Sequence, residues 1–278
     1  MTDKGLSVDN RARPVTFRAM IANDTSATPE PRAASIDAAE VERFQALAKA
    51  WWDPEGKFRP LHQIGPVRLT FVRDELKRHF AIADNGLRPL QGLRLVDVGC
   101  GGGLLSEPLA RLGATVTGID PGERNIAIAR DHAAAQGLAI DYRATTAEQL
   151  AAEGAVFDAV VCLEVIEHVQ DVPAFIATLA ALLRPGGLMV LSTLNRTVKA
   201  YALAIVGAEY VLGWLPRGTH QWERFVTPDE LARHVTAAGL AAPRFAGFVY
   251  HPLRNAWSLS DDTDVNYLAA AAKPAAEK

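Results

Sequence analysis

The chain has 278 residues, 49% hydrophobic and 22% charged, which is the make-up of a globular protein with length for a sizeable core and excludes a mostly disordered chain. Its 29 Lys and Arg against 32 Asp and Glu leave a net charge of −3, which argues against a nucleic-acid binder. Two cysteines, Cys100 and Cys162, cannot form a disulfide framework or a cysteine-based zinc site, so the chain reads as reduced and intracellular.

Residues 1–35 carry Pro14, Pro29 and Pro31 and no sustained apolar period; they read as a disordered tail without the apolar run of a secretory signal. A start at Met20 would leave every later element intact. Residues 36–84 read as a helical cover. Ser35 or Asp37 can cap a helix bearing Val41, Phe44, Leu47 and Trp51 on one side, and Trp51-Trp52-Asp53-Pro54-Glu55-Gly56 breaks it. A second helix is expected over 66–80.

From residue 93 the pattern alternates. Strands are predicted at 93–98, 115–119, 139–143, 157–163 and 188–193, and helices at 104–112, 122–136 and 171–183. Continuous apolar strands between helices signify a parallel sheet covered on both faces. Thr227-Pro228-Asp229-Glu230 opens a capped helix that runs to Gly239, and two last strands are expected near 243–250 and 264–271. The sum is one α/β domain over 36–272 with a seven-stranded, mostly parallel, Rossmann-like sheet, followed by a C-terminal tail at 273–278.

The first strand runs into Asp97-Val98-Gly99-Cys100-Gly101-Gly102-Gly103. A dinucleotide fingerprint from Gly99 needs a small residue at 104, where Leu104 stands, and a P-loop needs Lys-Ser or Lys-Thr after the last glycine. Neither phosphate site fits. Asp120, at the tip of the second strand, suits a pair of ribose hydroxyls, and Asp97 adds negative charge. A nucleoside without phosphates and with a positive charge suggests S-adenosylmethionine.

The segment 96–103 resembles motif I of the class I S-adenosylmethionine methyltransferases, and Leu182-Leu183-Arg184-Pro185-Gly186-Gly187 is similar to their later Pro-Gly-Gly turn. More narrowly, the chain resembles the ubiquinone-biosynthesis O-methyltransferases. The resemblance rests on Trp51-Trp52-Asp53, Pro60-Leu61-His62, Glu164-Val165-Ile166-Glu167-His168, Ser192-Thr193-Leu194-Asn195-Arg196, Val206-Gly207-Ala208-Glu209-Tyr210, Gly218-Thr219-His220 and Asp264-Val265-Asn266-Tyr267. It implies a cofactor site of Arg68, Asp97, Gly99, Gly101, Gly103, Asp120 and Leu163, with Arg68 on the methionine carboxylate. Where the family usually has Asn, this chain has Gly65. The resemblance also implies polyprenyl catechol and demethylubiquinol substrates, O-methylation in ubiquinone synthesis and membership of a biosynthetic complex.

For the chemistry, His168 is a candidate general base, with Glu164 beside it. On a helical turn, Glu164, Glu167 and His168 would share one face and hold a divalent ion, with magnesium the best match to oxygen ligands. Capping by acidic residues at a helix start is the third reading. The stretch 200–216 is apolar but for Glu209, is too short to span a bilayer, and carries Tyr201, Tyr210 and Trp214. Residues 197–224 are therefore expected to form a substrate lid that touches the membrane, with Lys199, Arg217 and Arg224 near lipid headgroups. The expected location is cytoplasmic, peripheral on the inner face of the membrane. The rivals are another small-molecule phenol O- or C-methyltransferase and a non-catalytic scaffold subunit.

Overall fold

Asp37 starts the first helix, α1 (Ala38–Ala46): its side chain accepts from the Ala39 N–H at 2.9 Å. The computed structural model describes residues 1–2, 37–83, 86–203 and 221–276. The expected tails therefore lie almost wholly outside the described residues, as does 204–220, the greater part of the expected lid. All the elements described here belong to one compact unit, Ala33–Lys278.

The second helix, α2 (Arg59–His79), begins earlier than the expected 66. Pro60 takes the proline-tolerant position in the first turn, and Pro66 falls inside the helix, where it removes one backbone hydrogen bond but faces solvent. Between the two helices, Trp51 stacks on Phe58 with centroids 3.8 Å apart.

The alternating region follows: β1 (Arg94–Val98), α3 (Ser106–Arg111), β2 (Thr115–Asp120), α4 (Glu123–Ala135), β3 (Asp141–Ala144), α5 (Ala147–Ala152), β4 (Phe157–Leu163), α6 (Val172–Ala181) and β5 (Leu183–Leu194). Helix α5 was not expected. Its signal was the capping box of Thr146 and Gln149, which satisfies two backbone donors reciprocally. The Pro185-Gly186-Gly187 turn lies inside β5, in the irregular register where Phe157 pairs with Leu183 and Ala159 already pairs with Leu188. Then come α7 (Val198–Ala200), α8 (Pro228–Ala237), β6 (Arg244–His251), β7 (Ala256–Ser260) and β8 (Asn266–Ala272).

The sheet has eight strands in the order β3-β2-β1-β4-β5-β8-β6-β7, one more than expected. The extra strand, β7, pairs antiparallel with β6 at the edge. The strands from β3 to β5 are parallel, and β8 runs antiparallel between β5 and β6. Alternation along the strands makes two cores. Val96, Val98, Val160 and Cys162 face α5, α6 and α8, while Leu95, Ala159, Val161 and Leu163 face α2 and α3. Asp97 shares the α2 face with Leu95, and this brings it to Arg68.

Candidate active site

A cavity of about 900 Å3 opens at the carboxyl ends of β1, β2, β4 and β5, where ligands sit in open α/β sheets. Its walls bring together Arg68, Asp97, Gly99, Gly101, Asp120 and Leu163 of the expected cofactor set, and all three residues of the expected chemical set, Glu164, Glu167 and His168.

The glycine loop is shaped by what lies over it. Gly99 has φ 74 and a side chain there would meet Val165 Cγ2 at 2.4 Å; Gly101 has φ 52 and a side chain there would meet the Trp51 ring at 2.4 Å. Gly103 departs from expectation: it is absent from the cavity wall and packs against Tyr142, whose hydroxyl would lie 2.2 Å from an added Cβ. Its role is in the turn. The indole of Trp52 donates to the Gly102 carbonyl at 2.9 Å and its ring stacks on His132.

Asp120 is held by three donors. The Gly122 N–H (2.8 Å) and Asn125 Nδ2 (3.1 Å) donate to Oδ1, and the Gly101 N–H (3.1 Å) donates to Oδ2. Asn125 is itself fixed by the Trp51 indole N–H at 2.9 Å. A carboxylate has about four acceptor positions, so this one retains capacity for a ligand hydroxyl. Burial raises its pKa, against these donors.

Arg68 is buried on α2. Its Nη2 donates to the Leu61 carbonyl at 3.3 Å, and its Nε is buried without a hydrogen-bond partner. Burial lowers its pKa, and the nearby Glu164 and Asp97 oppose that. An unmet guanidinium donor in a cavity wall fits an incoming carboxylate. Asp97 accepts from Ser106 Oγ at 2.5 Å; burial pushes its carboxyl up to about 6, against Ser106 and Arg68. Burial also raises Cys100 and Cys162, so neither thiol is an activated nucleophile.

The Glu164–His168 segment corrects the expected helical turn. The chain leaves β4 at Leu163, Glu164 takes a left-handed φ of 57, and Ile166–His168 forms a single 3-10 turn. The Glu164 and Glu167 carboxyls remain neighbours, while His168 turns to a different partner. Glu164 accepts from Ser192 Oγ and Glu167 Oε2 from Thr193 Oγ1, each at 2.7 Å, while His168 Nδ1 lies 3.0 Å from Glu40 Oε2. Burial, then the charge of Glu164, raises the Glu167 pKa, and its Oε1 is buried without a partner. Among the described residues, no three of His, Cys, Asp and Glu stand together so as to hold a metal ion, so the expected three-ligand set does not fit.

The far end of the cavity is lined by Lys199 and Leu203 and by the β6–β7 hairpin through Phe248, Tyr250 and Trp257. Lys199 pairs with Asp262 (2.5 Å) and Asp264 (3.3 Å), and Arg224 lies 3.7 Å from Asp37. Both expected lipid contacts are therefore engaged with carboxylates of the chain itself, and Arg217 lies outside the described residues. No helix among the described residues is long and apolar enough to cross a membrane. Sequence reasoning missed Glu40 and Asn125, and gave Trp51 no role. Only Trp51 carried a signal, as part of a quoted motif.

A family model described as a methyltransferase domain matches residues 68–242. A ubiquinone biosynthesis O-methyltransferase of Chelativorans sp. is 55% identical over 249 residues, covering 90% of this chain and 98% of its own. Proteins of the same name from Parvibaculum lavamentivorans (56%, covering 85% and 94%) and Azorhizobium caulinodans (57%, covering 87% and 95%) are as similar. Among solved structures, magnesium protoporphyrin IX methyltransferase from Synechocystis PCC 6803, with bound SAH, superposes with a TM-score of 0.59 at 22% identity, over 84% of this chain and 94% of that one. A plantazolicin methyltransferase in complex with SAH gives a TM-score of 0.53 at 16% identity, over 85% and 97%. These two likenesses concern the fold alone.

Proposed function

The chain belongs to the ubiquinone biosynthesis O-methyltransferase family, and from that premise we propose how its cavity divides the work of S-adenosylmethionine-dependent O-methylation. The observation that carries the division is continuity: one cavity joins the glycine loop and Asp120 to Glu164 and His168, and then to an apolar end at Leu203, Phe248 and Trp257. The first part takes the cofactor, the middle takes the reacting hydroxyls of a polyprenyl catechol or demethylubiquinol, and the apolar end takes the start of the polyprenyl tail.

Bound S-adenosylmethionine supplies an electrophilic methyl group on a positively charged sulfur. Arg68 binds a carboxylate, Asp120 orients ribose hydroxyls, and Asp97 and Glu164 favour positive charge nearby. A phenol has a pKa near 10, so its proton needs an acceptor at neutral pH. His168 accepts that proton as the oxygen attacks. Glu164 and Glu167 hold the turn on which His168 stands, through Ser192 and Thr193.

A divalent ion is a secondary proposal, restricted to Glu164 and Glu167. Their adjacent carboxyls and the unmet Glu167 Oε1 favour a bound cation; no step above depends on it. The described ends of 197–224 support the lid reading, because Lys199 and Leu203 line the cavity. The exposed Val198, Tyr201 and Leu203 support contact with a membrane surface, which would make the protein peripheral on its inner face. Liposome flotation tests that part: removal of 199–217 from a protein that stays folded should abolish flotation.

The main test is methylation of a short-chain polyprenyl catechol with S-adenosylmethionine, with and without chelator. A mono-O-methylated product is expected, and its absence with active, folded protein overturns the substrate assignment. Full activity after exhaustive chelation overturns the metal.

A further inference from the structure

We propose that Asn266 selects the substrate: its buried carboxamide binds the catechol hydroxyl that lies between the reacting hydroxyl and the polyprenyl tail. The proposal deepens the functional reading above and rests on its division of the cavity.

Asn266 is the first residue of β8, lines the cavity and is 9% exposed. Its Oδ1 is buried without a hydrogen-bond partner. Buried polar atoms are nearly always paired, because an unpaired one costs stability. In a cavity wall, such an atom points to a donor that the ligand supplies. The neighbouring loop is tied by another residue: the Asn195 N–H donates to the Val265 carbonyl and its Nδ2 to the Thr263 carbonyl, each at 2.9 Å.

Strand register sets where the carboxamide stands. Asn266 lies opposite Leu194 on β5, and alternation puts Leu194 on the same face as Ser192, whose Oγ donates to Glu164. Along β8, Asn266 shares its face with Leu268, which packs toward α2, the face of Arg68 and Asp97. On its other side, β6 pairs Gly247 with Tyr267, so that Phe248, the next residue of β6, falls beside Asn266. The carboxamide thus stands between the reacting middle of the cavity and its apolar end.

A catechol that carries its tail on the carbon next to one hydroxyl has the same order: tail, first hydroxyl, second hydroxyl. With the tail at Phe248 and the second hydroxyl at Glu164, the first hydroxyl falls at Asn266. Oδ1 accepts its proton. This also keeps that proton off the neighbouring oxygen, whose lone pair attacks the methyl group. A phenol without the first hydroxyl leaves Oδ1 unpaired, and a site built for a hydroxyl rejects the analogue that lacks it.

The test crosses two substrates with two variants of the full chain. The substrates are 3-prenylcatechol and 3-prenylphenol, the same ring without the hydroxyl next to the tail. The variants are Asn266→Leu and Asn266→Ala, each compared with wild type on the same substrate, so that the intrinsic reactivity of the two phenols cancels. Both variants should lower kcat/KM for 3-prenylcatechol roughly 10–100-fold and leave that for 3-prenylphenol within about twofold. Where 3-prenylphenol turns over too slowly to time, its Kd for protein loaded with S-adenosylhomocysteine is compared in the same way. Ligand-free Asn266→Leu should melt no lower than wild type, because Oδ1 has no bond in the protein to lose.

An equal fall for both substrates, or no fall with 3-prenylcatechol, would overturn the role of Asn266 and leave the O-methylation reading intact. Loss of folding in both variants would overturn it too, since the side chain would then be holding the fold. A wild-type protein that binds S-adenosylmethionine and leaves 3-prenylcatechol unmethylated would overturn the functional reading and the Asn266 role with it.

Discussion

The indole of Trp51 lies where a side chain on Gly101 would have to go: an added Cβ would sit 2.4 Å from the ring. The same indole donates to Asn125, which donates to Asp120. The glycine loop and the carboxylate are therefore set by one ring from the helical cover.

Gly101→Ala should destabilise the protein by about 2–4 kcal/mol, since it combines a left-handed backbone with a clash that the stacked Trp51 resists. Calorimetric titration should show cofactor binding lost or weakened. Trp51→Ala, which removes the clash but also the Asn125 bond, should weaken binding without a comparable loss in Gly101→Ala/Trp51→Ala relative to Trp51→Ala alone.

Arg68→Lys should not be conservative. A lysine loses the planar fork, including the buried Nε that has no partner in the protein. A charge-assisted bond to a buried carboxylate contributes about 1.5–3 kcal/mol, so cofactor affinity should fall about 10–100-fold. Unchanged affinity by calorimetry would remove Arg68 from the cofactor site.

Asp97 gives a pH signature. Its ordinary value is 3.8 and in the fold it is pushed up to about 6, because burial outweighs the bond from Ser106. The folded protein thus holds the proton more tightly than the unfolded chain. This contribution is fully present below about pH 4 and is lost as pH rises through about 6, by up to about 3 kcal/mol. Asp97→Asn should therefore be more stable than wild type at pH 7, with the gap closing toward pH 4, in denaturation without cofactor. The same variant should bind cofactor less well.

Thr193→Val should strand a carboxyl. Glu167 Oε2 accepts from Thr193 Oγ1, Oε1 is buried without a hydrogen-bond partner, and the carboxyl of Glu164 is a like-charged neighbour. Removal of the hydroxyl should cost about 1–3 kcal/mol by chemical denaturation, and kcat should fall as the turn carrying His168 loosens. Tyr267, opposite Thr193 in the sheet, offers a control away from the cavity. Tyr267→Phe loses only the bond to the Val226 carbonyl, and should cost about 1 kcal/mol with kcat preserved.

The parallel half of the sheet was legible because strands buried on both faces are continuous apolar runs; Phe157–Leu163 has only Asp158 as an interruption. The antiparallel edge was less so. Ala256–Ser260 is a short edge strand with a half-buried, weakly alternating pattern, and nothing in it distinguishes strand from loop. In the site, Asp97, Gly99, Gly101 and Asp120 were readable because each sits at a strand end with a chemical reason for its type. The Glu164–His168 spacing misled because three residues at i, i+3 and i+4 face together only on a helix, and a glutamate at positive φ leaves no mark in sequence. Glu40 was invisible for another reason: its partner is distant in sequence, and only the packing of α1 brings them together.

The position of β8 has a consequence for how the molecule is made. Among the described residues β8 is the last strand in sequence, yet it lies inside the sheet, with β5 on one side and β6 on the other. During synthesis, β5 and the β6–β7 hairpin emerge with facing edges that have nothing to pair with until residues 266–272 follow. Those edges are open templates for a neighbouring chain. The growing polypeptide is thus most vulnerable to misassociation just before its sheet closes, and shielding by a chaperone at that stage would matter more than at any earlier one.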